Sequence, residues 1–306
     1  MQRGAVIRAL RVPDRNGRFD DVVLGYHDLQ SYIEDRFYLG AVIGRYANRI
    51  ADGRFHLDGC AYELPVNDPP NHLHGGPAGF HSVTWEMRAE PRRAVLCYRS
   101  PDGEAGYPGN LTAEVSYTLT DANELIVAWH AVTDRATPLS LTQHSYFNLG
   151  GAGSGTINRH QLRINADRYL PVNATSIPTG ERRAVGGTPF DFTVTRPVLD
   201  GRTEAYDHCY VLGEESGALH EAAELYEAES GRVLTVLTTE PAMQLYTGQY
   251  LQPMQGKGAT RYRPYGGICL ETQRFPDAPN QPAFPSAILR PGSEFRSTTI
   301  FRFGVR

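Results

Sequence analysis

The chain has 306 residues, 41% of them hydrophobic and 21% charged, with a formal net charge of -4. That balance excludes a disordered chain and a polyanion-binding one as its class. The length admits a large core, and since all-β folds of this size often form one unit, a single domain over residues 1–306 is the expectation.

The start, Met1-Gln2-Arg3-Gly4-Ala5-Val6-Ile7, holds an apolar run too brief for the core of a signal peptide. No stretch reaches the length that spans a bilayer, so a cytoplasmic protein with no membrane partner is expected. Short runs with period-two or β-branched character then recur along the chain. They cover Ala5 to Val12, Arg54 to Leu57, Leu111 to Leu119, Leu125 to Val132, Gln161 to Ile164, Val233 to Thr238, Ala287 to Leu289 and Thr298 to Phe303. Turn signals such as Asn16-Gly17, Asp52-Gly53, Asp58-Gly59 and Pro101-Asp102-Gly103 separate them. Only Asp28 to Arg36 and Leu219 to Glu227 read as helical turns. The pattern predicts an all-β fold, a large antiparallel sandwich or a closed barrel, because many strands need two packed sheets to bury their inner faces. No repeat of fixed period argues for a propeller.

Arg163, Arg168, Arg182, Arg183, Arg196 and Arg202 are scattered between acids and turns, which describes a solvated surface rather than a phosphate track. No nucleic-acid partner is expected. Cys60, Cys97, Cys209 and Cys269 lie far apart with no Cys-x-x-Cys pair, so free thiols are expected in place of a zinc ribbon or redox dithiol.

Four stretches carry residue types suited to chemistry. In Gly44-Arg45-Tyr46-Ala47-Asn48-Arg49-Ile50, an amide beside a guanidinium can present donors to one ligand, or Arg49 can simply cap a strand or pair with an acid. In Asn71-His72-Leu73-His74-Gly75-Gly76, alternate histidines on an extended segment point to opposite sides, so one can face a pocket and the other a backbone carbonyl. A His-x-His pair also suits a metal, but no further ligand cluster has metal-site spacing, and no metal is expected. His144, within Leu141-Thr142-Gln143-His144-Ser145-Tyr146-Phe147-Asn148, is either a packed core imidazole or a proton donor facing a cleft. A serine nucleophile at Ser145 lacks the Gly-x-Ser-x-Gly elbow. Glu271 follows the apolar run Ile268-Cys269-Leu270 and precedes a loop rich in proline, at what reads as the rim of a buried strand. There it is either a salt-bridged strand-end acid or a carboxylate whose proton affinity is raised by apolar neighbours. Asp207 at the start of a strand and Gln244 inside an apolar run complete an inventory of hydroxyl-binding groups with acid and base, lacking any nucleotide loop.

These segments, together with Pro13-Asp14-Arg15-Asn16-Gly17, Thr188-Pro189-Phe190-Asp191-Phe192, Tyr206-Asp207-His208 and Gln244-Leu245-Tyr246-Thr247-Gly248, occur in an order and spacing that resembles the aldose 1-epimerases. The resemblance runs along nearly the whole chain. It implies a β-sandwich of the galactose mutarotase type, with Glu271 as general base, His144 as general acid and His74 near the ring oxygen of a sugar. Asn48, Arg49, Asp207 and Gln244 match positions that bind or frame sugar hydroxyls. It further implies a monosaccharide substrate such as galactose or glucose and no cofactor; a monomer or homodimer is the expectation for assembly.

Other readings of the same residues stay open at this level. A glycosidase would pair Glu271 with Asp207 or Asp277 across a scissile bond. A sugar-binding protein could keep the cleft without turnover. An epimerase for a phosphorylated or sulfonated sugar would need cations beside the cleft.

Overall fold

The computed structural model describes residues 1–201, 205–213 and 217–306, so Arg202 lies outside the described residues. Nearly all regular structure is β, as the alternation predicted. Among the described residues, one sheet has nine strands in the order Arg196–Pro197, Gln161–Ile164, His220–Tyr226, Arg232–Thr238, Phe295–Val305, Glu124–Thr133, Leu111–Leu119, Arg93–Ser100 and Glu86–Glu90. A second has five, in the order Arg183–Ala184, Arg168–Leu170, Asp207–Val211, Ala242–Tyr246 and Cys269–Gln273. Every pairing within both sheets is antiparallel.

Period-two alternation places the core. Along Glu124–Thr133 the side chains of Leu125, Val127, Trp129 and Ala131 are buried while their neighbours are part-exposed, and Leu111, Ala113 and Val115 repeat the pattern on the adjacent strand. They form one cluster with Leu234, Val236 and Phe301 from the same sheet and Tyr210, Met243, Leu245 and Leu270 from the five-stranded one. Each fully buried side chain of this size contributes about 1.5 to 3 kcal/mol, which favours two sheets face to face over either alone.

The predicted strands at Arg54–Leu57, Leu111–Leu119 and Gln161–Ile164 form with those bounds. Two expectations are corrected. The helical turns read over Leu219 to Glu227 are the strand His220–Tyr226, where a bulge between Glu221 and Ala223 breaks strict alternation and imitates helical spacing. The strand expected from Ala5 to Val12 is confined to Arg11–Pro13, and Ala5 itself has a positive φ of 47° that no strand continues through. The turn at Leu29–Ile33 is a short α-helix, with the Asp28 carboxylate accepting from the Ser31 N–H at its N-cap. No helix among the described residues is long and apolar enough to cross a membrane.

Candidate active site

The five-stranded sheet turns Leu245 and Leu270 into the sandwich core and the alternate residues Gln244 and Glu271 to its other face. Antiparallel register aligns that second face in rows. Asp207 lies opposite Tyr246, which lies opposite Cys269; in the next row Cys209 lies opposite Gln244, and Gln244 opposite Glu271. Glu271 thus sits mid-strand and is 2% exposed, not at the strand-end rim that the proline-rich loop suggested. It lines a cavity of about 460 Å³ above the sheet, shared with Asn48, Arg49, His74, His144 and Asp207.

Two loops build one wall by pairing Arg49–Ile50 with His72–Leu73. Asn48 and His74 flank that pairing, both with positive φ, 67° and 54°. They bind each other reciprocally: the His74 N–H donates to the Asn48 carbonyl at 3.0 Å, and the Asn48 N–H donates to His74 Nδ1 at 3.1 Å. Left-handed backbone at non-glycine residues persists where surrounding contacts over-determine it, and here it aims both side chains at the cavity. The alternation expected of His72 and His74 holds. His72 turns away, with Nδ1 2.8 Å from the Pro65 carbonyl and Nε2 2.8 Å from the Tyr107 hydroxyl.

Arg49 Nε binds Asp68 Oδ2 at 2.7 Å, and its Nη1 lies 3.8 Å from Asp207 Oδ2. Gln244 donates from Nε2 to Asp207 Oδ1 at 2.6 Å. Asp207 is therefore held from both sides while one edge remains on the cavity. Gln244 is buried behind Asp207 and is not one of the cavity's walls.

His144 follows the short strand Thr142–Gln143, and its main chain is tied to Ala41 and Gly40 at 2.9 and 3.0 Å. Its Nε2 stands 3.6 Å from Glu271 Oε1, while Nδ1 stands 3.6 Å from Cys269 Sγ. The rings of Tyr38, Tyr146 and His74 enclose it. Glu271 Oε2 has no hydrogen-bond partner among the described residues.

Burial raises the Glu271 carboxyl well above the usual carboxylate range; the Asp207 charge adds to this and Arg49 opposes it. Burial also pushes the His144 imidazole down to about 4. His74 is driven well below its ordinary value, again by burial first and then by the neighbouring His144. The Glu271–His144 pair is thus favoured in its uncharged form, a carboxyl beside a neutral imidazole, with one exchangeable proton between them.

Donor atoms of His74, His144 and Glu271 all lie within 4.8 Å of one another, a spacing that a metal ion would accept. The hydrogen bonds oppose it. Because His74 Nδ1 accepts a main-chain N–H, the neutral ring carries its proton on the other nitrogen, which offers a hydrogen and no lone pair. The set is then one ligand short of a three-residue metal centre.

The structure brings Asn48, Arg49, His74, His144, Asp207 and Glu271 to one cavity, with Gln244 supporting Asp207. Sequence reasoning missed Tyr38, Asp68, Tyr146, Tyr246 and Tyr250, which also line it. Asp68 carried a usable signal, standing in a proline turn just before the His-x-His pair. The tyrosines carried none, being ordinary strand and loop aromatics in sequence.

The architecture is the galactose mutarotase-like β-sandwich. An aldose epimerase homologue from C. elegans superimposes with a TM-score of 0.94 at 32% identity, covering 99% of this chain and 94% of that one. A galactose 1-epimerase from Lactobacillus acidophilus superimposes with a TM-score of 0.84 at 29% identity, covering 99% and 90%. The family model for aldose 1-epimerase matches residues 1–302. In sequence, the galactose mutarotase of Homo sapiens is 48% identical over 307 residues, 99% of this chain and 89% of the relative. The aldose 1-epimerase of Escherichia coli is 37% identical over 314 residues, 99% and 90%. The chain belongs to the aldose 1-epimerase family.

Proposed function

We propose that this chain interconverts the α and β anomers of free aldohexoses such as galactose and glucose, with Glu271 as general base and His144 as general acid. The observation that carries this reading is the 3.6 Å between His144 Nε2 and Glu271 Oε1 in a cavity wall. The anomeric hydroxyl and the ring oxygen hang from the same carbon, so the groups that serve them must be neighbours.

Glu271 removes the proton of the anomeric hydroxyl while His144 Nε2 protonates the ring oxygen. The ring C–O bond opens, the aldehyde rotates about its bond to the adjacent carbon, and closure with reversed proton transfers yields the other anomer. Burial leaves the pair's one proton on the carboxyl. Its transfer to Nε2 creates base and acid together, and the hydroxyl donors of a bound sugar favour that charged form by hydrogen bonding to the carboxylate. His74, held neutral with its free nitrogen protonated, offers a hydrogen bond to the ring oxygen that does not depend on pH. Asn48, Arg49 and Asp207 hold hydroxyls, and Gln244 fixes the Asp207 carboxylate.

One chain carries the whole set of groups, so turnover requires no second copy. The four cysteines are unpaired, two of them buried, which supports action in a reducing cytoplasm. Asp277, a partner that a glycosidase reading would give Glu271, is instead tied to the Ala51 N–H at 3.0 Å and the Asn280 amide at 2.7 Å.

Polarimetry of freshly dissolved α-D-galactose and α-D-glucose tests the reading. The wild type should speed the approach to equilibrium, and E271Q and H144N should each lower kcat by roughly 10²- to 10⁴-fold with sugar binding retained. A wild type no faster than buffer, or E271Q at wild-type rate, would overturn it.

A further inference from the structure

Cys269 and Glu271 leave the same strand on the same face and contact opposite nitrogens of one imidazole. Glu271 stands at His144 Nε2 and Cys269 Sγ stands 3.6 Å from Nδ1, within reach of a hydrogen bond to sulfur. All three side chains are buried, Cys269 completely. Resting on the acid role given above to His144, we propose that Cys269 is a positioning residue, its sulfur accepting the Nδ1–H and so keeping Nε2 as the nitrogen that trades a proton with the sugar.

The chemistry of the step requires this tautomer. An imidazolium that gives its Nε2 proton to the ring oxygen is left with a proton on Nδ1 and a lone pair on Nε2, ready to take the proton back on closure. A partner at Nδ1 that accepts a hydrogen bond holds the ring in that state and fixes its orientation. The adjacent His74 ring, 5.3 Å away between centroids, has the opposite arrangement, because its Nδ1 accepts the Asn48 N–H. One imidazole is thus set as a fixed donor and the other as a proton exchanger, by different partners at the same ring atom.

Sulfur suits the task through its weakness. A carboxylate at Nδ1 would stabilise the imidazolium and make it a reluctant donor; a thiol is a poor acceptor and leaves the cation strongly acidic. Burial, with the Glu271 charge adding, raises the Cys269 thiol well above its ordinary range, so it stays uncharged beside the ring. The contact joins residues 125 positions apart in the chain.

The test compares wild type with C269A and C269S by polarimetry and by nitrogen-15 NMR at pH 7, the His144 signals being assigned by their loss in H144N. The wild-type spectrum should show Nδ1 protonated and Nε2 bare. C269A should mix the tautomers and lower kcat by about 10- to 30-fold, part of the roughly 10²- to 10⁴-fold that a placed proton donor supplies, with KM within about 2-fold. C269S, whose hydroxyl oxygen also accepts, should recover most of kcat and restore the wild-type tautomer, which separates the hydrogen bond from simple packing. A wild type that does not speed mutarotation would overturn the underlying reading. An active wild type with Nε2 protonated, or with C269A equal to it in kcat and spectrum, would overturn the role of Cys269 alone.

Discussion

At His74 a main-chain hydrogen bond decides what the side chain can do. The Asn48 N–H occupies Nδ1, burial keeps the ring neutral, and the nitrogen left for the cavity is a donor. His74→Gln preserves an N–H donor and should retain at least about 10-fold more kcat than His74→Ala, the size of one hydrogen bond to a developing charge. On the roles proposed above, with Glu271 as base and His144 as acid, this pair sets the pH dependence. Below about 4 His144 gains a second proton for the pair and the base is lost; above the raised Glu271 value the last proton leaves and the acid is lost. The kcat/KM profile should therefore rise through about 4, stay high near neutrality and fall on an alkaline limb set by the pair as a whole. An acid limb near 6.5, the ordinary imidazole value, would contradict it. At this scale the sequence showed which residue types were available. It did not show that His144 meets a sulfur on one side and a carboxylate on the other, since neither neighbour is close to it in the chain.

Among the elements, the turn after His74 is the most exposed to a single change. Gly75 has φ of 82°, and a Cβ there would come within 1.8 Å of the Gly44 carbonyl oxygen. Gly75→Ala should cost at least about 2 kcal/mol in urea unfolding and raise KM in whatever fraction folds, because the turn carries both His74 and its bond to Asn48. Strands with clean alternation were readable, as Leu111–Leu119 and Gln161–Ile164 show. His220–Tyr226 was not, because pairing with Arg232–Thr238 overrode a local pattern already disturbed by the bulge. The short pairing of Arg49–Ile50 with His72–Leu73 was equally hidden, since two residues a side leave no periodic trace.

Across the whole molecule, the apolar core and the candidate site occupy opposite faces of the same strands. Leu245 is fully buried between the sheets while its neighbour Gln244 supports Asp207 on the other side. Leu245→Ala should therefore cost about 2 to 5 kcal/mol in denaturant unfolding and leave KM nearly unchanged below its melting temperature. We propose that residues 1–306 form one domain, for which calorimetry should give a single unfolding transition, two resolved transitions being the contrary result. A neutral sugar is not steered by charge, so kcat/KM should vary little between about 50 and 500 mM salt.

Residue chemistry and period-two alternation are local properties of the chain. The sequence by itself therefore determined the all-β class, the separate stretches that hold the candidate acid, base and hydroxyl-binding groups, and the family that their order resembles. Only the tertiary structure decided which of those groups meet, which nitrogen of each imidazole faces the cavity, and that Glu271 sits mid-strand in the cavity wall. The physical reason is that antiparallel register and burial, which align Cys269 and Glu271 under His144 and shift their protons, arise from contacts between segments far apart in sequence.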